Sequence, residues 1–122
     1  MRKMTPWLLL LVMAAPAQAV DREAAQASYH QGNVFFEQDR FTDASSSYGQ
    51  AVAQDPQFLE AYYNRALADE MVDRQKAIAD WHRFAEVAAS AAEFRNQVAL
   101  ANARIQILET LPVYPEPLQP SR

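Results

Sequence analysis

Tyr29–Pro56, reading YHQGNVFFEQDRFTDASSSYGQAVAQDP, decides the fold. Much of its pattern returns one helix pair later. Tyr29 recurs as Tyr63 and Gly32 as the small residue Ala66, both at a shift of 34 (63 − 29, 66 − 32). Ala44, Tyr48 and Val52 recur as Ala77, Trp81 and Ala85, at a shift of 33 (77 − 44). The drop by one means that a residue is lost between the two groups. Loss inside a helix rotates every later side chain off its face, whereas loss at a turn costs little. The second turn is therefore expected to be one residue shorter. A period of this size marks a helix–turn–helix unit stacked on its neighbour. Such units serve as binding scaffolds rather than catalysts.

With only two glycines and no sustained apolar–polar alternation, the chain reads as helix throughout. The first helix is expected over roughly 23–38, with Ala25, Tyr29, Gly32 and Phe36 on one face. Asp39-Arg40 forms the turn, and Phe41 opens a second helix that runs to about Gln54. Asp55-Pro56 ends the unit, because proline cannot continue a helix interior and restrains the residue before it. A third helix is expected over roughly 57–72, then an Asp73-Arg74 turn and a fourth helix to about Ala88. Ser90-Ala91-Ala92-Glu93 has the form of a capping box opening a fifth helix. Along that helix Phe94, Val98, Ala101, Ile105 and Leu108 make an apolar stripe.

Residues 1–19 read as an export signal. Arg2 and Lys3 give a basic start, Trp7–Ala15 is almost wholly apolar, and Ala17-Gln18-Ala19 supplies the small residues of a cleavage site. The apolar run is too short for a spanning helix, which needs roughly 20 residues. Cleavage after Ala19 is expected, with no stable membrane insertion afterwards and a periplasmic or secreted location. The chain has no cysteine, so it has neither a disulfide nor thiol chemistry, a composition that fits a bacterial periplasm. Residues 20–111 read as one helical domain and 112–122 as a Pro-rich extended tail. Removing Arg2 and Lys3 takes the net charge from −4 to −6. An acidic domain without a basic cluster is a poor match for nucleic acid or for anionic membrane.

The repeated units resemble the tetratricopeptide repeat. The first copy carries Gly32, Phe35, Phe41, Ala44, Tyr48, Ala51 and Asp55-Pro56 at the spacings of that family, with Ser28 in place of its first large residue. The second copy carries Tyr62, Ala66, Ala77 and Trp81, with Asp69 where an aromatic is usual and Phe84 where Ala is usual. The resemblance implies an all-α, short α-solenoid: repeat one about 25–58, repeat two about 59–89, and a capping helix about 91–111. Two repeats are fewer than the three or so that such stacks generally need. Either the fifth helix or self-association is expected to cover the last face.

In that family the first helix of each pair lines a concave groove. The resemblance therefore implies partner-binding positions at Tyr29, His30, Asn33, Phe36 and Glu37, and at Glu60, Tyr63, Asn64, Leu67 and Met71. Asn offers a donor and an acceptor to a peptide backbone, and Tyr offers contact area at low entropy cost. Asn33 and Asn64 also match positions with which one subclass grips a terminal carboxylate, but Tyr29 stands where that clamp needs a Lys. His30 and His82 lie on different helices with no carboxylate cluster beside them, so they read as surface or packing residues. Asp69, Glu70 and Asp73 read as a solvated helix end rather than a catalytic pair. No phosphate loop, nucleophile elbow or zinc motif appears. The chain thus reads as a non-enzymatic adaptor without a cofactor, binding a peptide or partner helix. A self-associating structural subunit of an envelope complex is the alternative reading, and a metal binder or enzyme a minor one.

Overall fold

The computed structural model describes residues 19–112, and every regular element within them is helical. The segments read as export signal and Pro-rich tail lie outside the described residues, apart from Ala19 and Pro112. Five α-helices follow in order: α1 Arg22–Glu37, α2 Phe41–Gln54, α3 Leu59–Glu70, α4 Arg74–Ala88 and α5 Arg95–Thr110. A short 3-10 turn, Ala92–Phe94, precedes α5. Each helix packs on the one before it in the chain. The result is two helix hairpins, α1–α2 and α3–α4, with α5 closing the far end.

The helix ends follow local chemistry. Asp21 caps α1, its Oδ1 accepting from the Ala24 N–H at 2.9 Å. At the other end Asp39 takes a left-handed φ of 57°. The Asp39 N–H bonds the Phe36 carbonyl and the Arg40 N–H bonds the Phe35 carbonyl, a Schellman closure. Asp55 Oδ1 accepts from the Gln57 N–H, and this side-chain turn delays α3 to Leu59, two residues after the expected start. Asp73 caps α4 by accepting from the Gln75 and Lys76 N–H groups.

Two expectations about helix ends are corrected. Both hairpin turns hold three residues, Gln38–Arg40 and Met71–Asp73, so the second is not shorter. The lost residue comes from the last turn of α3, which ends without a left-handed residue. Ser90 does not form a capping box. The 3-10 turn starts from Ala91 and α5 from Phe94, and neither has a side-chain cap.

The core repeats with the sequence. Ala44 and Ala77 are fully buried, as are Tyr48 and Trp81 one turn later. Gly32 shows why a small residue is needed in α1: an added Cβ would sit 2.5 Å from Tyr48 Cε1. Ala66 is its buried counterpart in α3. Tyr29 packs against Phe58 and Tyr48, with ring centroids at 4.9 and 5.8 Å. Tyr63 meets Trp81 edge-on at 5.2 Å and Phe84 at 5.5 Å. Along α5, Ala101 and Ile105 are buried, with Phe94, Val98 and Leu108 packed beside them, as the stripe predicts.

Polar ties fix α5 in place. Arg104 pairs bidentately with Glu70 of α3, whose Oε1 also accepts from Trp81 Nε1 at 3.1 Å. Arg74 Nη1 donates to the Leu111 carbonyl at 2.7 Å. The residues Asp69, Glu70 and Asp73 are therefore not one solvated helix end. Asp73 is a cap, Glu70 is an ion-pair partner, and Asp69 is buried at 4% exposure. No helix among the described residues is long and apolar enough to cross a membrane.

Candidate functional site

The first helix of each hairpin and α5 share one face of the stack. Two hollows open on that face. One is lined by Asn33, Phe36 and Glu37 of α1, Tyr48 of α2, and Asn64 and Leu67 of α3, with a volume of about 190 Å³. The other is lined by Tyr29 of α1, Glu60, Tyr63 and Asn64 of α3, Phe94 of the 3-10 turn, and Gln97 of α5, with a volume of about 220 Å³. Asn64 lines both, so the hollows form one groove. Each is smaller than the ~300–1,000 Å³ typical of small-molecule sites. Each has the volume of one or two side chains.

A hydrogen-bond network builds the groove floor. Tyr48 Oη donates to Asn33 Oδ1 at 2.6 Å. Burial, reinforced by nearby Tyr29, pushes the Tyr48 hydroxyl up to a pKa of about 12, so it remains a donor. Asn64 Nδ2 donates to Tyr29 Oη at 3.1 Å and to Asn33 Oδ1 at 3.3 Å. With Asn33 Oδ1 engaged as an acceptor and Asn64 Nδ2 as a donor, both amides are fixed in orientation. Asn33 Nδ2 and Asn64 Oδ1 take no hydrogen bond among the described residues. The groove therefore offers one free amide donor and one free amide acceptor, the complement of a peptide unit.

Eight of the ten positions named from sequence line the hollows: Tyr29, Asn33, Phe36, Glu37, Glu60, Tyr63, Asn64 and Leu67. Tyr63 is half-buried, with its ring packed on Trp81 and Phe84. His30 and Met71 line neither hollow. His30 is exposed beside Tyr29, and Met71 is 64% exposed in the α3–α4 turn. Tyr48, Phe94 and Gln97 line the groove although the repeat pattern marks none of them for it. Tyr48 reads from sequence as packing, and its hydroxyl is the one signal of a further role: the matching position is Trp81, whose Nε1 likewise reaches a polar partner, Glu70. Phe94 and Gln97 enter because α5 stands as a third inner helix beside α1 and α3.

A second polar cluster lies on the opposite side, between α2, α3 and α4. Arg65 Nε approaches Asp80 Oδ1 at 3.0 Å, with Asp69 and Lys76 alongside. Asp80 is 9% exposed and its Oδ2 has no hydrogen-bond donor. Burial, then the hydrogen bond to Asp69, push the Asp80 carboxyl up to a pKa of about 8, against the pull of Arg65. A protonated Asp80 can donate to Asp69. This cluster is structural bonding between α3 and α4.

His82 lies on α4, 4.0 Å from Glu109, far in the chain from His30 on α1. Among the described residues no group of three or more His, Cys, Asp or Glu could hold a metal ion.

A family model described as TPR repeat matches residues 32–70, the last turns of α1 through α3. No curated protein and no solved structure matches the chain. The matched stretch contains the Gly32–Tyr48 contact and both groove asparagines. The chain thus carries a TPR-like helical domain, a repeat module consistent with protein–protein interaction.

Proposed function

We propose that the protein is an exported adaptor that holds a peptide segment of a partner in the groove of α1, α3 and α5. One observation carries this reading. A part-buried hydrogen-bond network fixes Asn33 and Asn64, which line the groove and keep one amide donor and one amide acceptor unsatisfied among the described residues. Ordering side chains costs free energy on binding, and a groove whose amides are already fixed avoids that cost. Export is supported by the sequence of residues 1–19, with its basic start, apolar run and small-residue cleavage pattern.

The test is in-cell photocrosslinking at Glu60 and Glu37, exposed groove positions, beside Arg83 on the outer helix α4. A discrete partner captured at 60 and 37 but not at 83 supports the groove. Equal capture at all three positions refutes it. Intact mass of the purified protein tests export separately, since cleavage after Ala19 removes a defined fragment.

The second reading, a self-associating envelope subunit, is favoured by one feature. Leu100, Ile107 and Leu111 are exposed along α5, where a further repeat would stack. A protein that stays monomeric at tens of micromolar, measured by sedimentation, counts against it.

A further inference from the structure

The charges around the groove deepen the adaptor reading, and any peptide selectivity they confer rests on it. Glu37 stands at the rim of one hollow and Glu60 at the rim of the other. Both are exposed, and neither has an ion-pair partner among the described residues. Of the residues that line the two hollows, none is positively charged. Arg104, Arg65, Arg40 and Arg83 are paired with Glu70, Asp80, Asp43 and Glu86, while Arg95, beside Phe94 at the start of α5, has no ion pair among the described residues and lines neither hollow. The floor between the two acids is neutral, with apolar walls from Phe36 and Leu67.

We propose that the groove selects an extended peptide segment carrying two basic side chains four or five residues apart, with an apolar side chain between them. The spacing follows from the helices. Glu60 shares its hollow with Tyr29, and Glu37 lies two turns farther along α1, about 12 Å at ~1.5 Å per residue. Crossing from α3 to α1 adds a lateral step of about 8–10 Å, so the acids are about 15 Å apart. An extended chain advances ~3.3 Å per residue and covers that span in four or five residues. Asn33 Nδ2 and Asn64 Oδ1, between the two acids, meet the carbonyl and N–H of the segment's backbone. The intervening apolar side chain enters the hollow against Phe36 and Leu67.

The occupant is a separate partner. Residues 113–122 contain one base, Arg122, and an acid, Glu116, in their middle. They cannot supply two paired bases. A net charge of −4 on the whole chain also draws cationic partners toward the groove over longer range.

The experiment is panning of a phage-displayed random peptide library against the purified protein at low salt. Labelled synthetic copies of the enriched peptides are then titrated by fluorescence anisotropy and photocrosslinked to map their contacts. Enrichment of Lys or Arg at two positions four or five apart is expected, with crosslinks to α1 and α3. Glu37→Gln and Glu60→Gln, both exposed and away from the core, should each weaken binding by about two- to fivefold, and added salt should weaken it further. Groove-bound peptides without paired bases would overturn the charge inference while leaving the adaptor reading standing. No enrichment, or crosslinks confined to α2 and α4, overturns both.

Discussion

Replacing each of the two glycines by alanine tests the packing with one chemical change in two settings. Both sit in helices, and no described glycine has a positive φ, so alanine fits either backbone. Helix propensity alone then favours both substitutions by ~0.8–1.0 kcal/mol. At Gly49 the new Cβ meets only Arg65 Nη1, at 3.9 Å, an ordinary contact. Gly49→Ala should therefore stabilise by about 1 kcal/mol. At Gly32 the Cβ lands 2.5 Å from Tyr48 Cε1 and 2.6 Å from Cδ1. Carbon pairs pack best at ~3.5–4.0 Å, so the ring must move by about 1 Å. Tyr48 is 1% exposed and lies against Tyr29, so it has little room to do so. Overpacking of this kind costs about 1–3 kcal/mol. Displacing the Tyr48 hydroxyl from Asn33 adds about 1 kcal/mol. After the propensity gain, Gly32→Ala should destabilise by about 1–3 kcal/mol, roughly 5–20 °C in Tm for a domain of this size. Urea and thermal unfolding followed by helical circular dichroism measure both variants. If Gly32→Ala is as stable as the parent, or gains stability as Gly49→Ala does, the close α1–α2 approach does not explain the small residue.

Three further outcomes are expected. The carboxyl of Asp80 has a folded pKa near 8 against an ordinary 3.8, so the folded state binds the proton more tightly than the unfolded state. That stability is fully present below the ordinary value and is lost as pH rises toward and through about 8. Tm should fall between about pH 4 and about pH 8, and Asp80→Asn should flatten the profile; an unchanged profile in the variant refutes this assignment. Asp39→Gly should stabilise by about 0.5–1 kcal/mol in urea unfolding, because glycine adopts the left-handed φ of 57° without a Cβ penalty. Tyr48→Phe removes the donor to Asn33 Oδ1 and should cost about 1 kcal/mol. Its NMR signature is a loosened Asn33 side-chain amide; an unaltered amide signal means that the network does not depend on Tyr48.

The helices and their inner faces were legible in the sequence because burial imposes a period. Spacing put Gly32 on the inner face of α1 and Ala44 and Tyr48 together on α2, and the structure brings Gly32 and Tyr48 into contact. Pairings between separate helices were not legible in that way. Asp69, Glu70 and Asp73 are neighbours in sequence, yet they point to three different partners: Asp80, Arg104 and the start of α4. Sequence proximity predicted a shared patch, and helix geometry separated the three. The Ser90 capping box failed for a local reason, since the chain enters α5 through a 3-10 turn that leaves Ser90 outside. In the groove, residue types and register found both asparagines. Their orientation depends on a tyrosine from α2, which only the folded chain reveals.

Helices that pack in chain order have a kinetic consequence. Contacts are mostly between sequence neighbours, an arrangement that folds fast and opens from its ends. The two end helices, α1 and α5, each have a packed neighbour on one side only, so they are expected to open before the helices between them. α1 is tied back by the Asp21 N–H and the Ser28 hydroxyl, both bonded to Gln54, and α5 by Arg104 and Arg74. The second hollow is walled by these same two helices, with α3 between them. Amide exchange in α1 and α5 should therefore slow together when the groove is filled, because one occupant holds both ends of the stack closed.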